Sequence, residues 1–186
     1  LILTTFLISL AAIRPAIAAP QNWQSAWPDT NFDTHIVDYD EIISGGVPKD
    51  GIPAIDTPVF APAQSVKTIG ADEPVISLTH NGQTKGYPIR ILMWHEIAND
   101  SIGGTPVAIT YCPLCNSAIV FNREIKGPDG QSHVVEFGVS GKLRHSDLIM
   151  YDRTFENWWQ QLTGRAIVGT LSGQDLQQIP SRVMPF

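Results

Sequence analysis

Short apolar runs punctuated by turn-forming residues dominate the chain, and most of the runs have the two-residue period of a strand. Pro74–His80 alternates in this way. Asn81-Gly82 then reads as a hairpin turn, with Gln83–Tyr87 as the returning strand. Val107–Tyr111 and Ala118–Phe121 are β-branched and aromatic and form a second strand pair around Cys112-Pro113-Leu114-Cys115. His133–Val139 and Ala166–Leu171 read as further strands. Helical spacing is clearest over Ile89–Asn99, where Ile89, Leu92, Met93 and Ile97 share one face, and Gly103-Gly104 ends that region. Tyr39–Gly46 predicts a short helical turn closed by glycine, and Met150–Leu162, amphipathic and aromatic, predicts helix in its second half. Pro48, Pro53, Pro58 and Pro62 exclude regular helix from Val47–Ala63 and predict an extended, surface-hugging loop. Gln21–Asp33, with Trp23 and Trp27, reads as a loosely packed lead-in. Roughly six to eight strands with two or three short helices predict an α+β single domain built on predominantly antiparallel sheet.

Composition narrows the function classes. The chain is 43% apolar and carries a net charge of −6, with no basic cluster, which argues against nucleic acid and anionic membrane surfaces as partners. Its first twenty residues change the expected compartment. They are apolar and end in Ala16-Ile17-Ala18, the small-x-small pattern of a signal-peptide cleavage site. Residues 1–19 are therefore expected to be a signal peptide, incomplete at its start, followed by a segment at 20–49 and a domain at 50–186 that is truncated at its end. The apolar run before Arg14 is short for a membrane span. The expectation is an exported protein, periplasmic or secreted, with no stable span after cleavage.

The candidate chemistry centres on the only two cysteines, Cys112 and Cys115. Three uses of such a pair remain open. A Cys-x-x-Cys turn between strands has the shape of a metal knuckle, in which two thiolates supply half of a tetrahedral shell for zinc or copper. The same spacing occurs in thiol–disulfide oxidoreductases, although there the second cysteine opens a helix, and here strand-like residues follow it. The third use is a structural staple in a binding or assembly module. His95 is the first candidate to complete a metal set on ligand chemistry, with Glu96 or Asp147 next; His95-Glu96 is not part of a His-Glu-x-x-His motif. Ser140, Lys142 and Arg144, spaced by Gly138 and Gly141, are candidates for holding an anionic substrate. Asp147, Asp152 and Arg153 are candidates for support around the site. An enzyme using Cys112, Cys115, His95 and Glu96 is one outcome. The partner is a small molecule or a protein.

Four stretches carry a resemblance. They are Asp50-Gly-Ile-Pro-Ala-Ile-Asp56, Tyr87-Pro-Ile-Arg-Ile-Leu-Met-Trp-His-Glu96, Thr110-Tyr-Cys-Pro-Leu-Cys-Asn-Ser-Ala118 and Phe137-Gly-Val-Ser-Gly-Lys-Leu-Arg144, the last continuing through Ser146-Asp147-Leu148 and Met150-Tyr-Asp-Arg153. The chain resembles the exported bacterial and archaeal proteins grouped as DUF3179, a family defined without a reaction. It departs from the family pattern at His145, where relatives carry Asn. The resemblance implies that the cysteine hairpin, the Trp94-His95-Glu96 helix and the Gly141–Arg144 segment belong to one site.

Overall fold

The computed structural model describes residues 19–186; the expected signal peptide lies almost wholly outside them. Two α-helices and fourteen strands follow one another among the described residues. Five strands make the first sheet: β1 (Ile42–Ser44), β9 (Phe137–Arg144), β10 (Asp147–Asp152), β11 (Trp158–Gln160) and β12 (Arg165–Val168), paired in that order. The second sheet has the order β13 (Gln178–Ile179), β6 (Ser117–Asn122), β5 (Thr105–Cys112), β4 (Ile97–Ile102). The third has the order β14 (Arg182–Pro185), β2 (Pro74–His80), β3 (Gln83–Pro88). A small hairpin joins β7 (Glu124–Lys126) to β8 (Ser132–Val134). All pairings within these sheets are antiparallel, so the fold is α+β as expected.

Packing explains why several strands hide their period. The face of the second sheet bearing Ala108, Cys112 and Phe121 packs on Phe137, Val139, Leu148, Met150 and Trp159 of the first sheet. Its other face, with Val107, Ile109 and Val120, packs on Ile76 and Leu78 of the third sheet and on Leu92 of α2 (Ile89–His95). Strands covered on both sides have no polar face to alternate with. The outer face of the first sheet is covered too. Trp23, from α1 (Gln21–Ala26), together with Trp27, Phe32 and Tyr39, buries Ile149, Tyr151, Trp158 and Ile167. Each large side chain so removed from water contributes about 1.5–3 kcal/mol. The lead-in is thus a tightly packed aromatic cap, not a loose segment.

Other expectations are corrected in the same way. Met150–Leu162 contains no helix: β10, every residue of which is buried, turns into β11. The helical period at Ile89 stops at His95, because Glu96 adopts φ 57° and Ile97 begins β4. The Asn81-Gly82 turn forms as expected, with His80 opposite Gln83 and positive φ at both turn residues. The turn from β9 to β10 is of the same kind, placing His145 at φ 52° and Ser146 at φ 65° between paired Arg144 and Asp147. Asn tolerates that backbone better than His does. Gly141 is required where the Val47–Pro48 loop crosses β9: a Cβ there would lie 2.2 Å from the Val47 carbonyl oxygen.

Candidate metal centre

The hairpin β5–β6 places Cys112 directly opposite Ser117, so their side chains leave the same face of the sheet. The four intervening residues form the turn, with Asn116 at φ 47° and its side-chain oxygen accepting from Tyr111 Oη at 2.9 Å. Cys112 is buried and Cys115 is exposed, and no disulfide joins them. The first sheet faces this turn with Asp147, the residue that starts β10. The ligand atoms of Cys112, Cys115 and Asp147 lie within 4.8 Å of one another, and this group could hold a metal ion.

Hydrogen bonding around the group is one-sided. Asp147 is buried. Its Oδ2 accepts from Gln160 Nε2 and from the Leu162 amide, each at 3.0 Å, which fixes the carboxylate in place. Its Oδ1 faces Cys115 Sγ at 3.4 Å. Ser117 Oγ lies 3.2 Å from the same sulfur. The serine proton is committed elsewhere: Thr110 Oγ1 donates to the Ile119 carbonyl, Gln161 Nε2 donates to Thr110 Oγ1, and Gln161 Oε1 is left to accept from Ser117 at 2.8 Å. Cys115 Sγ therefore meets two oxygen lone pairs and can answer only one of them with its single S–H. Burial pushes the Cys112 thiol up to about 12, reinforced by the neighbouring Cys115 thiol; amides of Cys115 and Leu148 act in the opposite direction. A metal ion is one agent that would deprotonate such a thiol outright.

The other candidates are dispersed. His95 does not join the cysteines: it closes α2 and its Nδ1 bonds the Pro53 carbonyl at 2.8 Å, which holds the Asp50–Asp56 loop. Glu96 lies beside the hairpin through its backbone, accepting from the Tyr111 amide at 2.7 Å, but its carboxyl is not in the metal-competent group. Burial raises that carboxyl to about 7. Trp94 is 79% exposed, so it is not a core residue.

Ser140, Lys142 and Arg144 do not converge on an anion site. Ser140 is buried and donates to the Ile149 carbonyl at the register shift of β10. The Lys142 amine lies over the Trp23 ring at 5.2 Å, where burial lowers its pKa. Arg144 donates to Glu41 at 2.6 Å and to Gln160 Oε1 at 2.8 Å, so it reaches the centre only by bracing the glutamine that holds Asp147.

Asp152 and Arg153 make their bonds to groups other than the two cysteines and Asp147. Asp152 accepts from the Phe155 and Asn157 amides, Asn157 Nδ2 and Trp159 Nε1. Arg153 pairs with Asp56 at 2.7 Å and Asp50 at 3.4 Å, and Tyr151 Oη also bonds Asp50, so the Pro-rich loop is clamped to β10. Ser117, Gln160 and Gln161 lie against the candidate centre, a place sequence reasoning gave to none of them. Their signal was a pair of glutamines directly after Trp158-Trp159, polar positions in an otherwise apolar stretch.

An antiparallel α+β domain with two cysteines and a carboxyl group clustered between two of its sheets is the class that fold and site define. Residues 49–186 match the family described as "Protein of unknown function (DUF3179)", and the chain belongs to it. No curated protein and no solved structure matches the chain.

Proposed function

We propose that this is an exported metal-binding domain whose centre is formed by Cys112, Cys115 and Asp147. The observation that carries this is the excess of lone pairs around Cys115 Sγ, which Asp147 Oδ1 and Ser117 Oγ both face without a donor of their own. A cation between sulfur and oxygen relieves that excess, whereas one thiol proton relieves half of it. Fixing the carboxylate through its other oxygen, as Gln160 and Leu162 do, is the usual way in which neighbouring groups orient a metal ligand. Zinc suits this set best, since thiolate and carboxylate are both among its ordinary ligands; copper(I) favours sulfur alone.

A thiol–disulfide oxidoreductase has less support. It needs a lowered thiol pKa, and Cys112 is pushed the other way in a strand that ends in a turn. The test is the metal content and free-thiol count of protein purified without chelator. About one zinc per chain, lost in Cys112→Ser with the fold retained, is the expected result. A metal-free protein whose two thiols cycle reversibly to a disulfide would overturn it.

A further inference from the structure

We propose that Ser117 supplies the fourth donor of this centre through its hydroxyl oxygen, closing a tetrahedron of two sulfurs and two oxygens around a divalent cation of the zinc class. This rests on the metal-binding proposal above and adds a ligand to it.

Three observations support the assignment. First, register: Ser117 and Cys112 are direct cross-strand partners on one face, so Ser117 Oγ is built into the floor of the site by the same hairpin that carries the sulfurs. Second, distance. With Zn–S about 2.3 Å and Zn–O about 2.0 Å, the sulfur–oxygen edge of a tetrahedron is about 3.5 Å. Cys115 Sγ lies 3.4 Å from Asp147 Oδ1 and 3.2 Å from Ser117 Oγ, so two edges already have nearly that length. Third, polarity. Gln161 is fully buried, and its Thr110 partner leaves its carbonyl oxygen facing the serine. The serine proton then points at Gln161 and its lone pairs are available to the site.

Charge points the same way. Two thiolates and a carboxylate carry three negative charges, so a divalent ion leaves one uncompensated and a monovalent ion leaves two, in a site where Asp147 and Cys112 are buried. A neutral hydroxyl completes the shell without adding to that excess. A closed shell also has no place for an added ligand, unlike a site that keeps an exchangeable water.

The experiment loads chelator-treated protein with Co²⁺, follows the visible ligand-field and thiolate charge-transfer bands, and then adds imidazole. Wild type is expected to bind one Co²⁺ and to show no spectral response to imidazole. Ser117→Ala is expected to bind Co²⁺ about tenfold more weakly, through the same thiolate band, and to respond to imidazole at the vacated position. Ser117→Thr, which keeps the hydroxyl, is expected to behave as wild type. If wild type binds Co²⁺ but responds to imidazole as Ser117→Ala does, the serine assignment fails while the metal centre stands. If wild type takes up no Co²⁺, both fail together.

Discussion

Asp147 and Asp152 stand at the two ends of β10, and both are buried, at 3% and 0% exposure. Asp152 is surrounded by four N–H donors spread over its two oxygens. Asp147 has two N–H donors, both on Oδ2, while its other oxygen is met only by the Cys115 thiol. A buried carboxylate is costly unless its lone pairs are answered. Asp152 meets that requirement from within the protein and organises the β10–β11 turn. Asp147 meets it with N–H groups on one oxygen only; the other has just the Cys115 thiol, a weak donor, and that is the oxygen the proposed cation would take over. Completeness of hydrogen bonding, more than burial, separates the structural acid from the candidate ligand.

The same substitution at both positions tests this contrast most sharply. Asp152→Asn forces an NH2 group against N–H donors, and the protein should lose about 3–4 kcal/mol of unfolding free energy in a denaturant titration. Asp147→Asn keeps an oxygen for Gln160 and Leu162 and offers its NH2 to the sulfur. The metal-free protein should change by less than about 1 kcal/mol, while zinc affinity, measured by chelator competition, falls about a hundredfold. Equal destabilisation of the two metal-free variants would break the comparison. Gln160→Ala leaves every proposed ligand in place but removes one of the two N–H groups that hold Asp147; zinc should bind about tenfold more weakly, with little change in Cys115 alkylation when metal is absent.

Glu96 adds a third acid and the smallest effect. Its folded pKa of about 7 lies above the ordinary value of 4.5. Below about pH 4.5 both folded and unfolded states hold the proton and there is no penalty. Between 4.5 and 7 only the folded state holds it, so its contribution to stability falls as pH rises and stays low above 7. Wild type should therefore lose stability relative to Glu96→Gln by about 1 kcal/mol from pH 5 to pH 8, after solvent screening. A pH-independent difference between the two would show that burial does not govern this carboxyl.

Local signals were readable from the residues. The Asn81-Gly82 hairpin, the proline-rich loop and the cysteine turn announce themselves through short-range chemistry. Asp147 as the partner of the cysteines does not, because it lies 32 residues beyond Cys115 and reaches it only when two sheets pack together. The turn that positions it, His145-Ser146, lacks the Asn-Gly signature that its backbone would favour. Trp158-Trp159-Gln160-Gln161 misleads for another reason: a strand covered on both faces loses its alternation, and its aromatic run resembles a helix. His95 attracted attention as a chemically suitable ligand, but helix α2 delivers its ring to the Pro53 carbonyl.

Because Cys115 and Asp147 come from different sheets, an ion held between them would also be a cross-link. It would tie together a stretch of 32 residues, and closing a loop of that size in the unfolded chain is worth about 3–4 kcal/mol in the disulfide analogy. Unlike a disulfide, this rivet is set by concentration, so the protein's lifetime against unfolding or proteolysis would track the free metal around it. Sheets that part, even briefly, would release the ion, and the rate of metal exchange would then report how often the two layers separate.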